Sequence, residues 1–135
     1  MANAIEYKIY PYDNVFVAKA LGDLDFEDIS AHVAQLLADP DFHVGLNGLY
    51  DFTATNTLSG RLAVFERLAH DMSDEQVIDK SACTAILIPK ENTRLTWMME
   101  GYLLMTSGSK TDYKIFDPDD MEQALKHINL RHLPG

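Results

Sequence analysis

The stretch that most constrains the fold is Ala82-Cys83-Thr84-Ala85-Ile86-Leu87-Ile88, a nearly continuous apolar run bounded by Lys80 and Pro89. Such a run, too short for an ordinary helix, is the pattern of a strand buried on both faces. It implies helices packed above and below a largely parallel sheet. Cys83, the single cysteine, is then a core thiol rather than a nucleophile or a sensor.

The flanking chain supplies the other elements. Ile5 to Tyr10 alternates with Ile5, Tyr7 and Ile9 on one side, the period-two pattern of a half-exposed strand. Pro11 to Asn14 turns the chain, and Val15 to Leu21 returns as a second strand, so an antiparallel hairpin opens the sheet. Asp25 is placed to cap a helix running to about Ala38, with Phe26, Ile29, Val33, Leu36 and Leu37 as its buried stripe and Asp39-Pro40 as its stop. His32 falls off that stripe and reads as an exposed surface residue.

Leu46 to His70 runs from a short central strand ending near Asp51, through a hydroxyl-rich loop, into an amphipathic helix. Ser59 is its expected N-cap, with Leu62, Phe65, Leu68 and Ala69 as its buried stripe. Open α/β sheets place binding sites at such junctions. A final strand at Tyr113 to Phe116 leads into Asp117-Pro118-Asp119-Asp120, which reads as an N-cap, a proline at N1 and an acidic first turn. The closing helix buries Met121, Ala124, Leu125 and Ile128, and the tail from about residue 130 is expected to be disordered.

Asn92 to Thr106 differs from the other helices. Leu95, Trp97, Met98, Met99, Tyr102, Leu103, Leu104 and Met105 surround most of its circumference. One face packs on the sheet. The other is covered by the domain itself, by a second copy in a homodimer, or by a small apolar ligand in a pocket lined by Leu95, Trp97, Met98, Tyr102 and Met105.

At 135 residues and 47% hydrophobic content the chain fits one domain. There is no secretory leader pattern and no apolar run of bilayer-spanning length, so a soluble cytoplasmic protein is expected. Acidic residues outnumber basic ones 21 to 11, and the resulting charge of -10 repels phosphate backbones and anionic headgroups, which argues against nucleic acid and membrane partners.

Motifs for catalysis are missing: the chain has no Gly-rich phosphate loop, no Gly-x-Ser-x-Gly elbow, no Cys-x-x-Cys pair and no His-Glu-x-x-His helix. Its five histidines are dispersed. We therefore expect no metal, no cofactor and no enzymatic activity. What remains is the loop containing Asp51, Thr53, Thr55, Thr57, Ser59 and Gly60, where hydroxyls either cap a helix or accept phosphoryl groups that would reshape a docking surface.

Three segments together resemble the STAS superfamily of sulfate transporters and anti-sigma factor antagonists, most nearly the small bacterial SpoIIAA-like proteins. They are Val15 to Asp28, Gly48-Leu49-Tyr50-Asp51-Phe52, and Tyr113 to Asp117 running into Met121 to Leu125. The resemblance implies a single α/β domain with a mixed five-stranded sheet and about four helices, acting as a regulatory or protein-binding module. In anti-sigma factor antagonists an Asp-Ser-Ser-Gly type motif carries the phosphorylated serine. Here Ser59-Gly60 keeps its end, while Thr57 replaces the aspartate and the loop is longer. The fold is also similar to the lipid-binding CRAL-TRIO (Sec14-like) domains, which leaves a carrier or sensor of an apolar ligand as the alternative function.

Overall fold

A computed structural model describes residues 4–43, 45–59, 82–105 and 112–134, with the side chains of 101–105 and 112 left aside. Five strands, β1 (Ile5–Tyr10), β2 (Val15–Ala20), β4 (Asn47–Asp51), β6 (Cys83–Leu87) and β7 (Asp112–Phe116), form one mixed sheet in that order, and the two-residue strands β3 (Leu24–Asp25) and β5 (Leu58–Ser59) pair apart from it. β1 and β2 make the antiparallel hairpin, joined through Pro11–Asp13 and a left-handed Asn14 (φ 52°). From β2 onward every pairing in this sheet is parallel, through β4, β6 and β7. The expected mixed α/β architecture is therefore the one observed.

The central apolar run is buried from Thr84 onward, whereas Cys83, expected as a core thiol, is half-buried against the second core where the strand begins. Ala85, Ile86, Leu87 and Ile88 are all buried, and their side chains alternate between two cores as a strand requires. Ile86 and Ile88 join Phe16, Ala18, Leu24, Phe26, Val33, Leu36, Leu95 and Met99 on one face. Ala85 and Leu87 join Val15, Leu49, Ala124, Leu125 and Ile128 on the other. The first core takes α1 (Phe26–Leu37) and α2 (Thr93–Met105), the second takes α3 (Met121–His127). Gly48 lets these layers close, because a Cβ there would stand 2.3 Å from the buried Phe16 ring.

Each helix start is written in local chemistry. Asp25 Oδ1 accepts from the Asp28 N–H at 2.8 Å and the Asp28 carboxylate accepts from the Asp25 N–H at 3.0 Å, a reciprocal capping box. Asn92 Oδ1 caps α2 by accepting from the Leu95 N–H at 3.1 Å. Asp117 caps a 3-10 turn, Pro118–Asp120, that runs into α3. α3 ends in a Schellman arrangement, with left-handed Asn129 (φ 63°) and the Leu130 N–H donating to Leu125 O at 2.8 Å. Leu130 packs on the second core.

Two readings of α1 are corrected. Leu37, placed on the buried stripe, is 37% exposed, since it ends the helix where the chain turns away. His32, placed at the surface, is 3% exposed. It is enclosed edge-on by Tyr7 of β1 and Tyr50 of β4, each with its ring centroid 5.5 Å away. The helix from Gly60 onward, with Leu62, Phe65, Leu68 and Ala69, lies outside the described residues.

Candidate functional site

Because β2, β4, β6 and β7 run parallel, their C-terminal ends bring four loops to one edge: Leu21–Leu24, Phe52–Thr57, Ile88–Asn92 and the Asp117 turn. That is the edge where open α/β sheets bind ligands. Side chains with few rotatable bonds fix these loops to one another. Asp23 Oδ1 accepts from the N–H groups of Asn56 (2.8 Å) and Thr57 (3.1 Å), which hold its carboxyl below the usual carboxylate range. Asn92 Nδ2 donates to the carbonyls of Thr55 (3.2 Å) and Asn56 (3.1 Å). Asp117 Oδ1 accepts from the Lys90 N–H at 2.7 Å, and that bond with the Asp119 N–H lowers its pKa.

The hydroxyl loop is sorted by this bracing. Thr55 is 1% exposed and donates to Gly22 O at 2.8 Å, so its hydroxyl is spent inside the fold. Thr53, Thr57 and Ser59 are exposed. Asp51 accepts from both the backbone N–H and the hydroxyl of Thr53, closing a tight turn at the end of β4. Thr53, Thr55, Asn56, Pro89, Glu91 and Asn92 rim an open depression of about 430 Å³.

Leu58 and Ser59 form a short strand, β5, paired in parallel with β3 (Leu24–Asp25). Ser59 thus stands opposite Asp25, the cap of α1. Gly60, its partner in the sequence motif, lies outside the described residues.

The residues grouped as an apolar surface separate on α2. Leu95 (1% exposed) and Met99 turn into the core and Met98 is half-buried, whereas Trp97 is 75% exposed. Tyr102 and Met105 fall in α2, but their side chains are outside the description. Between α2 and the end of β7 runs a groove of about 720 Å³, bordered by Arg94, Trp97 and Glu100 on the helix and by Ile115 and Phe116 on the strand.

Sequence reasoning missed the polar group beneath α1. His32 Nε2 meets the Tyr50 hydroxyl at 3.0 Å, while its buried Nδ1 has no partner among the described residues. Burial pushes the imidazole pKa down to about 4. Tyr7 donates to Asp39 Oδ2 at 2.8 Å, and desolvation followed by the Asp39 contact pushes its phenol up to about 12. The available signal was Tyr7 and Tyr50 on strands facing the helix, which no helical periodicity reveals. Among the described residues no group of three or more His, Cys, Asp or Glu side chains is arranged to hold a metal ion, and no helix is long and apolar enough to cross a membrane.

An uncharacterised DUF3478-family protein from Shewanella loihica PV-4, with a SpoIIAA-like fold, superimposes at TM-score 0.55 over 93% of this chain and 92% of that one. This chain has the SpoIIAA-like fold. At 20% identity the SpoIIAA-like likeness is one of fold and brings no activity with it. No family model matches the sequence, and no curated protein is similar to it.

Proposed function

We propose that this SpoIIAA-like chain is a non-enzymatic regulatory module that binds a protein partner through the C-terminal edge of its sheet, with the hydroxyl loop as its switch. The observation that carries this reading is the contrast within the loop: Thr55 is buried and bonded, while Thr53, Thr57 and Ser59 are displayed on a backbone braced by Asp23 and Asn92. A rigid loop that displays hydroxyls suits recognition, because little ordering entropy is lost on binding. A phosphoryl group on Ser59 would enter a neighbourhood of carboxylates, Asp23, Asp25 and Asp28, and like-charge repulsion would loosen the β3–β5 pairing. The alternative, a carrier of apolar ligands, draws less support because Leu95 and Met99 face the core instead of lining a cavity.

Ser59→Asp tests the switch. Affinity capture from the source cells with the wild-type chain is expected to retain a partner that Ser59→Asp releases and Ser59→Ala keeps. Equal recovery by all three contradicts the reading.

A further inference from the structure

α2 carries near its middle the bulkiest exposed apolar side chain among the described residues, Trp97, at 75% exposure. Thr93, Thr96, Trp97 and Glu100 follow one another at i, i+3, i+4 and i+7, so they share one face of the helix, and all border the groove against β7. Ile115, half-buried on the side of the sheet that α2 packs on, borders it from the strand. The groove volume of about 720 Å³ admits a second indole beside Trp97.

Charge decides what fits there. Lys90 and Arg94 stand with Glu100 and Asp117 along the groove, two cations and two carboxylates, so this lining is neutral and the net charge of -10 is carried by the rest of the chain. Two copies therefore repel each other less through this surface than through the acidic remainder. Lys90 and Asp117 interact within one copy. Arg94 and Glu100 are exposed and, among the described residues, make no ion pair.

Arg94 and Glu100 lie three residues before and three after Trp97. Helix geometry sets them about 4.5 Å to either side of it along the axis and turned about 60° in opposite senses. Opposite charges are thus placed symmetrically about one exposed indole. A twofold axis through that indole, perpendicular to the line from Arg94 to Glu100, lays Arg94 of each copy on Glu100 of the other.

We propose that this groove is the contact between two copies of this chain in a symmetric dimer. Trp97 of each copy enters the groove of the other, and two reciprocal Arg94–Glu100 pairs fix the register. In such a contact the same patch serves on both subunits and each pairing occurs twice. Tryptophan and arginine are also the residues that dominate the energetic centres of protein interfaces. The dimer goes beyond the module reading, and its failure leaves that reading untouched.

Sedimentation equilibrium on the full chain tests it. The wild-type chain is expected to reach twice the monomer mass, with emission from Trp97, the single tryptophan, shifting to the blue as concentration rises. Arg94→Glu and Glu100→Arg change exposed side chains, and each alone is expected to weaken association by about tenfold or more, because each sets like charges together at two places. An equimolar mixture of the two variants is expected to regain the dimer, since two carboxylates on one copy then meet two guanidinium groups on the other. That rescue also shows both variants to be folded. A wild-type chain that stays monomeric, a dimer that either variant leaves unweakened, or a mixture no more associated than its components overturns the proposal.

Discussion

The two ends of the sheet are built from the same kind of bond and put it to opposite uses. At the N-terminal end, Asn47 (6% exposed) donates through Nδ2 to Ile128 O at 3.3 Å and accepts through Oδ1 from the Cys83 N–H at 2.8 Å. Its own N–H donates to Asn14 O at 3.2 Å, while the Asn14 side chain donates to Gly45 O, also at 3.2 Å. One buried asparagine thus ties β4 to β6, to the hairpin turn and to the end of α3. At the C-terminal end, Asp23, Asn92 and Asp117 tie loops together just as economically, yet hydroxyls, Arg94 and Trp97 remain displayed. Polar groups enclosed at one end hold the fold. Those left over at the other are available for recognition.

Changes at the enclosed end should be the costliest. Asn47→Ala removes the side-chain acceptor of the Cys83 N–H and the donor to the carbonyl of buried Ile128, at about 1–3 kcal/mol for a buried group left unsatisfied. Urea denaturation should show this loss with an unchanged slope, and a loss below the effect of any loop variant would erase the contrast. His32, enclosed beneath α1 rather than at either end of the sheet, shows through pH what an enclosed polar group costs. Its folded pKa of about 4 lies below the unfolded value near 6.5, so the unfolded chain binds more protons between these values and stability rises with pH there. Its contribution is complete above pH 6.5 and is lost as pH falls through 4, on the order of 3 kcal/mol at 1.36 kcal/mol per unit. Thermal melts of His32→Phe should lack that pH dependence, and identical profiles would contradict the enclosed-imidazole account.

Gly48→Ala forces a Cβ against the enclosed Phe16 ring, and overpacking of this kind costs about 1–3 kcal/mol, visible as a lowered melting temperature. At the open end, Asn92→Ala removes the α2 cap and the tie to Thr55, costing about 1 kcal/mol. It should weaken partner capture more than it weakens the fold. Thr53→Ala changes stability least, within about 0.5 kcal/mol as an exposed site.

What the sequence made legible follows from how local each signal is. The cap at Asp25, the Asp117 turn and the apolar run of β6 each lie within a few consecutive residues, and each appears where the pattern puts it. The pairing of Leu24-Asp25 with Leu58-Ser59 joins distant segments only two residues long, too short for any periodicity. It changes the meaning of Ser59, which stands beside the cap of α1. His32 was misread for a related reason: helical phase predicts exposure from the helix alone, whereas the aromatic rings that bury it come from β1 and β4. On α2 the excess of apolar residues was plain, but only the position of β7 distinguishes inward Leu95 from outward Trp97.

The most direct test of the claim that recognition belongs to the C-terminal edge is backbone amide exchange on the chain with and without its captured partner. New protection is predicted at 52–59 and 88–92, with residues 11–15 and 45–47 unchanged. Protection confined to 11–15 and 45–47 would contradict it.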